Sequence, residues 1–156
     1  MEQIDPRSLA QFIKDDALTV MCGKQLGKGV SRVVYEFNDD CVIKVEFDAT
    51  RESSMLQNAR EAIVWREFEH WDKMKVWFAP VKFISRSGHW LVQAKTIPVT
   101  INELRREAPK VPSCFTDLKV KNWGRIKGRI VCHDYGSLLL GQNKPENLKK
   151  AKWWED

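Results

Sequence analysis

An α+β fold is predicted by three features of the 156-residue chain. Short β-prone runs follow one another from Thr19 to Phe47, a stretch with helical spacing runs from about Ser53 to Trp71, and two later pairs of apolar runs flank tight-turn dipeptides. Strands joined by such short turns pair antiparallel, so the expectation is an antiparallel sheet with one long helix against it.

Asp5-Pro6 followed by Leu9, Phe12 and Ile13 reads as a capped short helix. Proline suits the first helical position because its missing N–H would be unpaired there anyway, and the three apolar residues share one face. TVMCGKQL, RVVYEF and CVIKVEF then read as a three-stranded meander, broken by a glycine-containing turn and by Asn38-Asp39-Asp40. Ser53 and Ser54 are cap candidates for the long helix, in which Leu56, Ala59, Ala62 and Ile63 recur at helical spacing; Pro80 closes this region. VKFISR and HWLVQAK flank Ser87-Gly88 as a hairpin, and a short helix is expected from Thr100 to Glu107 before Pro109 and Pro112. WGRI and RIVCH flank Lys127-Gly128 as another hairpin. The tail KPENLKKAKWWED, basic and then aromatic, reads as a solvated tail or a docking helix rather than a core element.

The length suits one domain, folded as one body or as two small lobes. Apolar runs such as LTVM and SLLL stop far short of the roughly 18 residues a spanning helix needs. Asp5, Pro6, Asp15 and Asp16 stand where a signal peptide would be apolar, so a cytoplasmic protein with no membrane partner is expected. Twenty-six Lys and Arg against 21 Asp and Glu give +5 and a pI near 9.1, which favours polyanions without choosing among them. Cys22, Cys41, Cys114 and Cys132 form no CxxC pair, and with three histidines they make no zinc pattern, so four reduced thiols are expected.

The chemistry-bearing residues begin with Gly27-Lys28-Gly29-Val30-Ser31-Arg32-Val33-Val34. Glycine between two strands lets backbone N–H groups close over phosphates, although an ordinary hairpin turn has the same composition. The motif precedes a strand, whereas a Rossmann fingerprint opens a helix, which disfavours dinucleotide binding. Lys44 follows within an apolar strand, where a lysine needs an anion, and Glu61 lies 17 residues later on the long helix; Glu67 or Glu69 takes that place if the helix register differs. Further on, Asp117-Leu118-Lys119-Val120-Lys121-Asn122 is followed after a short hairpin by His133-Asp134-Tyr135-Gly136.

With D-x-K-x-x-N and D-aromatic-G in this order, the chain from about Gly23 to Leu138 resembles the protein-kinase-like fold. The resemblance implies ATP and Mg²⁺, with Asp117 as the catalytic base, Lys119 facing the transferred phosphate, and Asn122 and Asp134 as metal ligands. It further implies Gly27, Gly29 and Val34 in the glycine-rich loop, Lys44 on the phosphates, Glu61 as its partner, and Gln93-Ala94-Lys95 at the adenine edge. The architecture so implied is a minimal two-lobed fold, with residues 17–95 as an N-lobe, 96–140 as a much reduced C-lobe and 141–156 as a tail. The truncated end looks most like small bacteriophage kinase-like proteins, which implies the cytoplasm of a host cell.

Three departures bear on function. Arg32 stands at the third glycine, Phe115-Thr116 replace His-Arg before Asp117, and only 20 residues follow Gly136, which leaves no room for an activation loop or a peptide-substrate platform. Lys144-Pro145-Glu146-Asn147 mimics part of a catalytic loop, but Gln142 occupies its aspartate position. The first functional expectation is therefore an ATP/Mg-dependent phosphotransferase with an unidentified acceptor. The alternative is a pseudokinase binding module that binds and inhibits a host protein through exposed tryptophans, for which Trp65, Trp71 and Trp77, lying on no single helical face, are candidates. Nucleic-acid binding by Arg125, Lys127, Arg129 and the Lys149-Lys150-Lys152-Trp153-Trp154 segment has no recognised motif behind it and is not favoured.

Overall fold

The computed structural model describes residues 15–47 and 56–156. The expected helix at Leu9, Phe12 and Ile13 and the caps Ser53 and Ser54 lie outside the described residues.

The meander forms as expected from β1 (Gln25–Lys28), β2 (Arg32–Glu36) and β3 (Cys41–Glu46), all antiparallel. Asn38 makes the second turn by accepting the Asp40 N–H on its side chain. The first strand starts later than Thr19, because residues 15–21 are helical. Leu18, Met21 and Cys22, spaced three and four apart, pack against the sheet residues Ile43, Val45 and Val92, and Val20 is left exposed. Covering an open sheet face outweighs the weak strand propensity of Thr19-Val20.

The long helix, α1 (Gln57–Phe68), ends before Trp71, which instead caps the short α2 (Asp72–Lys75). Its buried face is Asn58, Glu61, Ala62, Val64 and Phe68, while Ile63 is exposed. The expected apolar face was rotated because two of the inward positions are polar. β4 (Val81–Ile84) and β5 (Trp90–Ala94) form the expected hairpin and complete a five-stranded antiparallel sheet in the order β1-β2-β3-β5-β4.

After it come β6 (Ile97–Pro98), α3 (Ile101–Glu107), β7 (Lys110–Pro112), β8 (Trp123–Ile126) and β9 (Arg129–Cys132). Thr100 and Glu103 close a reciprocal capping box on α3. The β8–β9 hairpin turns through Lys127 at φ 47° and Gly128 at φ 81°, both in the left-handed region that a two-residue hairpin requires. β6, β8 and β9 form a second antiparallel sheet.

The tail corrects the sequence reading. β10 (Leu148–Lys150) pairs antiparallel with β7, and Trp153 is buried in the main core. Its ring meets Trp123 edge-on at 5.0 Å, and its Nε1–H donates to Ala108 O at 2.9 Å. Phe68, Phe78, Phe115, Trp123 and Tyr135 continue this aromatic core towards α1. Burial of Trp153 also removes it from any base-stacking surface. All four cysteines are free thiols, and among the described residues no helix is long and apolar enough to cross a membrane.

Candidate functional site

A cavity of about 640 Å³ opens between the five-stranded sheet and the residues that flank the β8–β9 hairpin, Lys121, Asn122, His133 and Asp134. Gly27, Gly29, Val34, Lys44, Gln93, Lys95, Asn122 and Asp134 all line it. Register places Val34 opposite both Gly27 and Lys44, so one strip of sheet carries the turn, an apolar wall and the lysine. A Cβ on Gly27 would meet nothing within 4 Å, so this glycine leaves space on the cavity rather than relieving a clash. The Gly29 N–H is engaged within its own turn by Arg32 O at 2.8 Å.

Lys44 and Glu61 are fully enclosed, with the Lys44 Nζ 2.9 Å from Glu61 Oε2 and 3.1 Å from Oε1. Glu67 is exposed on α1, and Glu69 lies beside His70, so neither takes the lysine. Lys44 also donates to the backbone carbonyl of His133. Burial lowers the Lys44 pKa more than Glu61 raises it, and nearby Arg32 adds to the lowering. Burial would raise the Glu61 carboxyl, but Lys44 and Arg32 overcome this and hold it well below the usual carboxylate range.

Arg32 is the functional residue that sequence reasoning missed. It is 6% exposed, and its guanidinium donates to Asn58 Oδ1, Glu61 Oε1 and Asp134 Oδ1, each at 3.0 Å. Asn58 braces the cluster from α1, donating through Nδ2 to Lys44 O and His89 O. The available signal was a charged residue opening the otherwise apolar start of the run RVVYE, directly after the glycine turn.

Asp117 and Lys119 do not line the cavity. Asp117 is exposed and accepts the Asn122 Nδ2–H at 3.0 Å and the Lys119 N–H at 3.2 Å, which ties its carboxylate to a residue that does line the cavity. Lys119 points into a neighbouring hollow of about 540 Å³, where it is paired with Asp156 and lies over the Trp154 ring at 4.7 Å. Gln93 is buried and reaches Ala79 O with Nε2 at 3.4 Å, while Lys95 is paired with Glu36 at 3.0 Å. Tyr135 N–H donates to Glu61 Oε1 at 3.2 Å. Gly136 follows against the start of α1, where a Cβ would come within 2.3 Å of the Gln57 side chain and 3.1 Å of its backbone oxygen. That close approach is what lets the Asp134-Tyr135-Gly136 turn seat Asp134 in the cavity.

His133 links the two hollows. Its Nε2 lies 2.8 Å from Lys121 O, which can only accept, so Nε2 carries the proton and Nδ1 accepts from the Thr96 hydroxyl at 2.8 Å. Burial and the Lys44 ammonium push this imidazole down to about 4. The unfolded side chain takes a proton near 6.5, so between these values the unfolded state binds more protons and stability falls as pH is lowered. Melting followed from pH 7 to pH 4 is expected to show a loss of roughly 3 kcal/mol in this window. His133→Gln should flatten it, and an unchanged pH profile in the variant would remove His133 as the cause.

The Mg²⁺ implied at Asn122 and Asp134 can be tested against this arrangement. Magnesium needs near-octahedral oxygen coordination, and Asp134 already receives the Arg32 guanidinium. Among the described residues no cluster of three or more His, Cys, Asp or Glu side chains suited to a metal occurs. As arranged, the Arg32 guanidinium holds one of the two Asp134 oxygens that an ion at this place would use.

No family model matches the chain. No curated protein matches it either. Among solved structures it is similar to APH(2″)-IIa in a ternary complex with streptomycin and ATP, at 18% identity and a TM-score of 0.41, over 68% of this chain and 34% of that one. It is also similar to WbdD crystallised with the kinase inhibitor LY294002, at 15% identity and a TM-score of 0.45, over 75% of this chain and 33% of that one. The chain thus spans about a third of the length of each of these proteins.

Proposed function

We propose that the protein is a kinase-type phosphotransferase, a minimal two-lobed kinase-like domain that binds ATP in the large cavity. The observation that carries this reading is the convergence of the Gly27–Gly29 turn, Lys44 and the Asn122–Asp134 pair on one hollow, with Glu61 enclosed behind the lysine. The base is assigned to the Gln93–Lys95 end and the phosphates to the Lys44 end. Asp117, exposed and oriented by Asn122, is suited to accept the proton of an acceptor hydroxyl as the γ-phosphoryl group leaves ADP.

ATP is expected to raise the melting temperature, since a ligand of the native state alone stabilises by about 2.7 kcal/mol at a hundredfold excess over Kd. Transfer of labelled γ-phosphate to the protein itself, to lysate proteins or to water is the direct assay. Asp117→Asn should reduce transfer at least about tenfold while leaving ATP affinity within about twofold, because the base touches the acceptor and not the nucleotide. Wild-type transfer no higher than that of Asp117→Asn in all three arms would sink the phosphotransferase.

The contact of Lys119 with Asp156 favours a second reading, a pseudokinase binding module without turnover, because it turns the lysine assigned to the transferred phosphate away from the cleft. Such a module would show the ATP-induced shift with no transfer. Its protein partner would be sought at exposed aromatic residues such as Trp71 and Trp154.

A further inference from the structure

We propose that Gln93 selects the base of the bound nucleotide, its side-chain oxygen accepting a hydrogen bond from the 6-amino group of adenine. The inference rests on the nucleotide-binding reading above and names the group that sets base specificity at that site.

Strand register fixes where the side chain lies. Gln93 on β5 is the direct cross-strand partner of Val42 on β3, and Val34 on β2 is the partner of Lys44, two residues further along β3. Directly opposed residues of antiparallel strands, and alternate residues of one strand, present their side chains on the same face. All four residues line the cavity, so Gln93 stands on the side of the sheet that faces it. Val34, Val42 and Ala94 supply apolar wall at the end assigned to the base.

The side-chain oxygen is enclosed without a donor. Gln93 is fully buried, and its Oε1 has no hydrogen-bond partner among the described residues. An acceptor left unpaired away from water is costly, and a ligand that brings an N–H group recovers that cost. Turning the amide over does not relieve it. Nε2 reaches Ala79 O at 3.4 Å, and the reversed amide would set Oε1 against that carbonyl oxygen, which has no proton to give. What this wall offers a base is therefore an acceptor. The neighbouring backbone donors are engaged within the protein, the Ala94 N–H by Pro80 O at 2.9 Å and the Lys95 N–H by Asp40 O at 2.8 Å. Adenine carries an amino donor at its 6-position, whereas guanine and hypoxanthine carry a carbonyl oxygen there, which would meet Oε1 as one acceptor meets another.

Calorimetric titration of the intact chain, with Mg²⁺ present throughout, tests this against three nucleotides: ATP, purine riboside triphosphate, which lacks only the 6-amino group, and inosine triphosphate. ATP is expected to bind at least about tenfold more tightly than either analogue. Gln93→Leu leaves Ala79 O its bond from the Tyr135 hydroxyl, and it is expected to bring ATP and purine riboside triphosphate within about threefold of each other. Gln93→Met serves if the leucine variant does not fold. A smaller preference for ATP in the wild type overturns the inference while leaving the nucleotide site standing. A folded Gln93 variant that still separates ATP from purine riboside triphosphate by more than threefold also overturns it. Absence of binding by all three nucleotides overturns the nucleotide reading itself, and the inference with it.

Discussion

Glu61→Gln is expected to destabilise the folded chain by about 3–5 kcal/mol, the usual consequence of leaving buried charge without its counter-ion. Here one carboxylate serves two buried cations, Lys44 and Arg32, whose side chains are only 4% and 7% exposed. The amide also turns an N–H group towards donors that need an acceptor, including the Tyr135 backbone N–H. For a chain of this size the loss corresponds to a drop in Tm of about 10 °C. Lys44→Met should cost less, because Glu61 keeps Arg32. Glu67→Gln, on the exposed face of the same helix, should stay within about 0.5 kcal/mol. Urea denaturation of the three variants at neutral pH checks this ranking, and equal losses at Glu61 and Glu67 would show that the buried cluster is not where the stability lies.

Trp153→Ala is expected to cost a comparable amount, about 3–5 kcal/mol, by emptying a large site in the main core. The indole is 7% exposed, packs edge-on against Trp123 and donates to Ala108 O. The variant therefore loses the ring, the aromatic pair and the partner of a buried carbonyl together. Trp154→Ala removes a ring that is 43% exposed and rests against Lys119, so about 1 kcal/mol or less is expected. Thermal melting with near-ultraviolet circular dichroism reads both losses. Equal, small effects at the two positions would restore the solvated tail suggested by its composition.

Much of the secondary structure was legible because its determinants are local. Ser87-Gly88 and Lys127-Gly128 specify their hairpins by backbone conformation, and Thr100 with Glu103 specifies the start of α3, all within a few residues. The pairing of Lys44 with Glu61 was legible for a different reason: a lysine inside an apolar strand demands an anion, and few acidic residues follow on the adjacent helix. The rotated face of α1 was not legible, since hydrophobic spacing assigns Ile63 inward and cannot see that Asn58 and Glu61 are buried by their partners.

By itself the sequence determined the antiparallel α+β framework, the hairpins and the order of polar residues along the chain. Tertiary structure decided which of those residues share a cluster. Arg32 meets groups 26, 29 and 102 positions away, and β10 finds its strand partner in β7 across more than thirty residues. Lys119 is carried away from the cleft by Asp156 in the same way. Burial makes these long-range charge and ring contacts strong by excluding water, and sequence spacing alone does not reveal which distant groups will be enclosed together.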